Sequence, residues 1–365
     1  MTGTIDFSGP WTAQSKTLYP ALKRKLKRAG CFDPVPWLNL RDMSLVLSAY
    51  ALGYAILLLD PAISYRLFAL VMLAFASVHA GFIVHDAGHG IITRHRGLTK
   101  VIGHFFLTFL TGMSYDEFLY KHRRHHSHCN EKAIVPKGRT GLFSLREEVI
   151  ENRFDGTAYR PGPLRALFNR YLAYLIWFLV SLKGSAVKID GIRFALRRPK
   201  NSVMYAVFLT LHSALWLGVP VYFLGPWDTL VNYLLLTWFG GIYIGTIFLL
   251  NHFATRIIPP DQRPHYFEQQ IVTTRNLGSS WLDNFLFGGF NNHIEHHLFP
   301  TMPKSKLVKA RSVTRAFCRR HGVPYRESEF RPAIREIFQH FNSMARPDVT
   351  GSEGESHDGI RAYSL

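Results

Sequence analysis

The sequence predicts an all-α integral membrane protein: four transmembrane helices, a cytoplasmic helical cap and interfacial helices, together holding a histidine-rich metal site. Three observations carry that reading. Apolar residues fall in long blocks of about membrane-crossing length. Lys and Arg concentrate in the segments that a four-crossing path places on one side. Histidines recur in three clusters at helical spacing, His85/His89, His122/His125/His126 and His293/His296/His297, so each cluster can aim two or three imidazoles at one point. One membrane-embedded domain accounts for the 365 residues.

Residues 1–42 are expected to be a basic cytoplasmic segment, without the apolar core of a cleavable signal. The crossings are residues 43–59, 67–84, 203–224 and 230–250, of 17, 18, 22 and 21 residues. At 1.5 Å per residue, roughly 17 to 25 residues cross about 30 Å of hydrocarbon. Residues 60–66 and 225–229 join them into two tight hairpins. Two further apolar blocks, 101–113 and 171–182, are 13 and 12 residues and are read as interfacial or buried helices. Counted as crossings, they would send residues 114–170, with eleven Lys and Arg and the second histidine cluster, to the side opposite the first cluster. With four crossings, both termini, all three clusters and every Lys and Arg except Arg66 share one side, which the positive-inside rule makes the cytoplasm. Residues 43–345 are then the membrane domain, and 346–365, rich in Gly, Ser and acidic residues, a disordered tail.

Composition narrows the chemistry. Cys31, Cys129 and Cys318 are scattered and odd in number, which supports neither a disulfide framework nor a zinc ribbon and leaves them as inert buried thiols. There is no nucleotide-binding glycine loop, and the net charge of +18 is read as a face for anionic membrane lipid rather than nucleic acid. Basic runs at residues 23–28 and 193–200 are candidate docking points for an acidic partner. Gly241-x-x-x-Gly245 in the fourth crossing permits close helix packing.

The eight clustered histidines, joined by His252 just beyond the fourth crossing, are too many for one tetrahedral zinc. They suit two metals with open positions for small molecules. No Glu-x-x-His pair accompanies them, so the site departs from carboxylate-rich di-metal bundles. His79, on nearly the same face of the second crossing as Asp86, is a candidate outer support, while Asp86, Asp283 and Glu295 adjoin ligands and are candidates to accept imidazole protons. His212, mid-crossing, is read as a packing residue, and His128 as solvated.

His85-Asp-Ala-Gly-His89-Gly, His122-Arg-Arg-His125-His126 and His293-Ile-Glu-His296-His297-Leu-Phe-Pro resemble the three histidine boxes of the membrane fatty acid desaturases. The likeness runs from about residue 70 to 310 and includes Leu250-Asn251-His252-Phe253 and Ser280-Trp281-Leu282-Asp283. It implies two iron ions held by His85, His89, His122, His125, His126, His293, His296 and His297, with His252 as a ninth ligand and Asn251 as a water-holding contact. It also implies O2 as co-substrate and a fatty acyl substrate linked to lipid, CoA or an acyl carrier protein. A fused cytochrome b5 would carry a His-Pro-Gly-Gly haem motif, which is missing here, so electrons are expected from a separate donor such as ferredoxin or cytochrome b5. The third box resembles that of enzymes acting toward the carboxyl end of the chain, which typically have glutamine where this sequence has His293. The alternatives are a hydroxylase, acetylenase or ketolase on the same scaffold, or, from another class, a non-enzymatic metal-binding membrane protein.

Overall fold

The computed structural model describes residues 10–59, 62–131, 163–259 and 262–345. The expected tail, residues 346–365, lies outside them, as does the start of the basic N-terminal segment. Among the described residues the regular structure is helical throughout.

Helix α1 (Ser15–Arg28) turns Leu18, Leu22 and Leu26, spaced four apart, into the interior and leaves Lys23, Arg24, Lys25, Lys27 and Arg28 exposed. Helix α2 (Pro36–Leu58) opens on a proline at its first position, where no amide donor is needed. Helix α3 (Ile63–Gly88) follows, and Tyr50 and Ser77 hydrogen-bond across the pair at 2.6 Å. Both helices are long and apolar enough to cross a membrane, and α2 carries exposed Trp37, Leu40, Leu45 and Leu52 on its outer face. They extend the expected crossings 43–59 and 67–84, so α3 carries His85 on its last turn without a break.

The block 101–113 does not lie flat. Helix α4 (Arg96–Gly103) continues as a wider π-helical stretch (His104–Phe109), whose Phe106 and Leu107 join Leu110 in one core with Val46, Tyr50, Leu73 and Trp216. The chain then turns at Gly112 (φ +75°), where a Cβ would stand 2.7 Å from His212 Nε2. Helix α5 (Tyr115–Ser127) returns, with the Ser114 hydroxyl accepting from the Glu117 amide at 3.3 Å. The pair is thus an inward-pointing helical hairpin, and its returning arm carries the second histidine box.

Helix α6 (Pro163–Arg197) contains the block 171–182 but is 35 residues long, and its portion Tyr171–Arg197 has the length and composition of a crossing. Its connections show that it does not cross. Helix α7 (Val203–Ser213) runs through a π-helical turn (Ala214–Gly218) into α8 (Val219–His252), which is interrupted at Gly225 (φ +78°). Across that interruption His212 Nε2 meets the Tyr233 hydroxyl at 2.8 Å, so residues 203–224 and 226–252 fold back as a hairpin. Its tip lies at the α2–α3 turn, with Arg66 3.4 Å from Asp228, opposite the end that carries His85 and His252. Val203 therefore begins on the histidine side, and Arg197 is six residues before it. The other end of α6 packs Leu172, Ala173 and Ile176 with Leu249 and Leu250, also on the histidine side. The crossings are α2, α3 and the two arms of the second hairpin, as the sequence suggests, while α6 is longer than expected and leans along α8. There Gly184 and Gly241 face each other so closely that a Cβ on Gly241 would be 2.4 Å from the Ser181 carbonyl oxygen.

The cap is built from α9 (Tyr266–Val272), α10 (Trp281–Leu286), α11 (His293–Leu298), α12 (Lys304–Arg320) and α13 (Phe330–Ala345). The leucine face of α1 shares a core with Phe267, Ile271, Ile294, Leu298, Leu307 and Phe317 from three of them. The cap thus closes over the ends of α3, α5 and α8.

Candidate metal centre

Four helices bring the nine imidazoles together, and their nitrogens sort into two groups. His85 and His89 from the end of α3, His122 and His126 from α5, and His296 from α11 offer atoms all within 4.8 Å of one another. Within that group Nε2 meets Nε2: His89–His122 at 2.8 Å, with His122–His126, His126–His296 and His85–His296 each at 3.1 Å. The second group holds His125 of α5, His252 at the end of α8, His297 of α11 and Cys129, whose ligand atoms lie within 4.8 Å of one another, so the thiol read from the sequence as inert stands beside the site. His293 joins it, its Nε2 2.7 Å from His252 Nε2, which is 3.1 Å from that of His125. The second and third boxes are therefore each divided between two points, a correction to the expectation of one target per cluster. On α5 the i,i+4 pair His122/His126 serves the first group and His125 the second. On α11 the i,i+4 pair His293/His297 serves the second group and His296 the first.

The donor set fits metal ions. Burial, the largest influence, holds His89 and His125 down to about 4 and His293 to about 3. It pushes His122, His126, His296 and His297 well below the ordinary value, with neighbouring imidazoles adding to the effect. The rings are neutral at pH 7 and present lone pairs, and His297 Nε2 is buried with no hydrogen-bond partner. Facing acceptor nitrogens would repel one another; a cation between them resolves the conflict.

The surroundings orient these rings and keep water away. Gln270, fully buried on α9, receives a hydrogen bond from His297 Nδ1 at 2.8 Å. The Thr273 carbonyl lies 3.4 Å from His252 Nδ1, and Cys129 Sγ is 3.6 Å from the same nitrogen. Cys129 is thus buried against a box imidazole, with its Sγ within 4.8 Å of a ring nitrogen of each of His125, His252 and His297. Phe290 sets its ring against His85 and His296 at centroid distances of 4.4 and 5.0 Å, Phe118 stacks on His122 at 5.2 Å, and Phe248 meets His252 at 5.1 Å.

The candidate supports fare unevenly. Asp86 lies 3.3 Å from His85 Nδ1. Asn251, fully buried, donates to the Phe290 carbonyl at 3.3 Å and leaves its own oxygen without a partner. Glu295 engages no imidazole: it accepts from the Tyr325 hydroxyl at 2.7 Å and from Asn276 Nδ2 at 2.9 Å, while Asn276 Oδ1 accepts from the Ile294 amide at 2.9 Å. Its role is to hold the third-box helix in place, and burial raises its carboxyl. Asp283 caps the start of α10 through the Ser280 amide at 2.9 Å, an exposed contact apart from the boxes. His79 stacks on Phe75 at 4.1 Å and reaches the Tyr243 hydroxyl at 3.5 Å, one aromatic layer below the metal centre. The two carboxylate corrections have different causes: Glu295, beside His296 on α11, points about 100° away from it, whereas Asp283 lies on a separate helix, α10, that carries no ligand. His128 pairs with Glu131 at 2.7 Å on the surface. Gln270, Asn276 and the aromatic ring set carried no signal in the sequence, since each acts on residues distant in the chain.

A sequence profile for the family described as Fatty acid desaturase matches residues 31–329. The chain belongs to that family. The desaturase is 27% identical to an acyl-lipid 8-desaturase of Rebecca salina, across 87% of this chain and 72% of that protein. It is 25% identical to a Delta(5) fatty acid desaturase of Caenorhabditis elegans, across 94% and 77%, and 28% identical to an acyl-lipid (8-3)-desaturase of a Thraustochytrium species, across 89% and 73%. It is an oxidoreductase of fatty acyl chains and a multi-pass membrane protein, and these relatives favour desaturation over the alternative oxidations and over a non-enzymatic metal carrier.

The buried imidazoles link stability to pH. Their pKa values in the fold lie below the ordinary 6.5, so between about 6.5 and 4 the unfolded chain binds more protons than the folded one. Metal-free protein in detergent should therefore lose thermal stability steadily as pH falls through that window and hold it above pH 7. A melting temperature flat from pH 7 to 4 would show that the rings are not buried as described.

Proposed function

We propose that the desaturase holds two iron ions, one in each histidine group, and uses O2 with electrons from a separate donor protein to place a double bond in a fatty acyl chain. The observation that carries this reading is the convergence of nine neutral imidazole nitrogens into two adjacent groups. His85, His89, His122, His126 and His296 would hold one ion, and His125, His252, His293 and His297 the other. Bound there, the irons would supply dioxygen activation and the removal of hydrogen from unactivated methylenes. Across the reaction two hydrogens leave adjacent carbons, and these, two external electrons and two protons reduce O2 to two waters.

The protein's own part is positioning. Imidazole donors keep the ligand shell uncharged, the third-box helix is fixed through Asn276, and Phe118, Phe248 and Phe290 line the centre with apolar surface that limits water. The names of two of the relatives favour a lipid-linked acyl chain over a CoA or carrier-protein thioester. The exposed basic residues of α1 suit an acidic electron donor and anionic headgroups. We place the histidine end and the cap in the cytoplasm, because the basic residues gather there. Residues 1–42, 43–345 and 346–365 are read as basic segment, catalytic membrane domain and tail.

Expression of the desaturase in a host should give a new unsaturated fatty acid by gas chromatography, absent with His296→Ala or His297→Ala, which should lose more than about 100-fold of product, beyond the 10–100-fold of outer-shell changes. His293→Gln should keep part of the activity and of the iron, since an amide oxygen can stand near His252 where the imidazole now sits. A hydroxylated product instead would overturn the reaction assigned, and His293→Gln as inactive and iron-poor as His296→Ala would make His293 obligatory.

The three native cysteines are buried, so single introduced cysteines report topology. In intact cells an impermeant thiol reagent should label Trp227→Cys, 73% exposed at the tip of the second hairpin, and spare the exposed cap position Glu329→Cys. The reverse pattern would turn the protein over.

A further inference from the structure

Gln270 bridges the second and third boxes. Its Nε2 donates to the backbone carbonyl of His126 at 3.1 Å, and its Oε1 accepts from His297 Nδ1 at 2.8 Å; the side chain is fully buried. The His126 carbonyl belongs to the last turn of α5, where carbonyls lack partners inside the helix, so the amide also caps that helix. A carbonyl oxygen can only accept. The amide must therefore turn its NH2 toward His126 and its oxygen toward His297, because the flipped amide would press two acceptors together. His297 Nδ1 must then carry the ring proton, and the lone pair is left on Nε2, the buried nitrogen without a partner that faces the second group.

We propose that Gln270 is a positioning residue for the second of the two metal ions: it fixes the tautomer and ring plane of His297, and so sets the affinity of the His125/His252/His293/His297 group independently of the first. The proposal deepens the di-iron reading and rests on it. Its distinguishing consequence is asymmetry. Of the first-group residues, Gln270 touches only the main chain of His126. A general loosening of the cap would weaken both groups together, whereas loss of the His297 hydrogen bond weakens one.

Anaerobic titration of the metal-free, detergent-solubilised full chain with iron(II), against a competing chelator, tests this. Wild type should take two equivalents. Gln270→Leu should take one at wild-type affinity and the other 10–100-fold more weakly, the range for losing an outer-shell partner. His297→Ala should lose the same equivalent. Gln270→Glu, which keeps an acceptor on His297 Nδ1, should retain the second equivalent within a few fold of wild type, and it serves as the folded comparator if the leucine variant fails to fold. Two equivalents at wild-type affinity in Gln270→Leu, an equal fall in both, or loss of the second equivalent in Gln270→Glu would overturn the assignment. If the wild-type chain takes up no iron(II), the di-iron reading fails instead, and the same titration with zinc(II) decides the role of Gln270.

Discussion

Nine neutral imidazoles with nitrogen lone pairs directed at one another are the constraint that organises this molecule. Each ring must be buried to exclude water, yet none of the buried rings can be left charged, and the Nε2 atoms approach to between 2.7 and 3.1 Å. Such an arrangement has to be imposed from outside, by elements that individually satisfy other rules of folding. The crossing helices do this through length. α3 and the second arm of the hairpin begin together at the Arg66–Asp228 contact and arrive together at His85 and His252. The inward hairpin of α4 and α5 supplies the second box from the side, with its turn at Gly112 pressed against His212 and Tyr233. The cap then closes the remaining direction with α11.

Helix geometry explains how so many ligands divide cleanly. Residues four apart share a face, and the intervening ligand is rotated by about 100°. Each of the two H-x-x-H-H boxes therefore presents a pair to one point and a single ring to a neighbouring one. The two boxes face each other in opposite sense, so α5 gives its pair to the group in which α11 places its single ring. Close ring contacts such as His126–His297, at a centroid distance of 4.5 Å, run along the seam between the groups. A metal at either point would thus be felt at the other through shared helices, which is a reason for separate supports such as Gln270 and Thr273 behind the second group.

The crossings and the gathering of the box imidazoles were legible in the sequence because both are written in local periodicity: unbroken apolar length for one, spacings of three and four for the other. What was not legible depends on distance in the chain. Nothing in residues 171–182 shows that they belong to a helix of 35 residues whose two ends stay on one side; that follows from where Leu172 and Val203 sit relative to α8. Nothing around Gln270 marks it as different from Gln269 beside it, which instead donates to the Cys129 carbonyl at 3.1 Å. Asp283 and Glu295 misled for the opposite reason. Proximity along the chain suggested contact with the box imidazoles, but Asp283 caps its own separate helix, and helix rotation turns Glu295 toward Asn276 and Tyr325.

The central claim is an all-imidazole protein ligand shell divided between two adjacent metal sites, in which Cys129, although beside the second group, supplies no ligand. X-ray absorption at the iron edge of the purified, iron-loaded protein addresses it most directly. The account predicts nitrogen and oxygen neighbours only in the first shell, strong outer-shell scattering from several imidazoles per iron, and no sulfur. A sulfur neighbour would place Cys129 among the ligands, and a shell dominated by carboxylate oxygen with few imidazoles would contradict the account altogether.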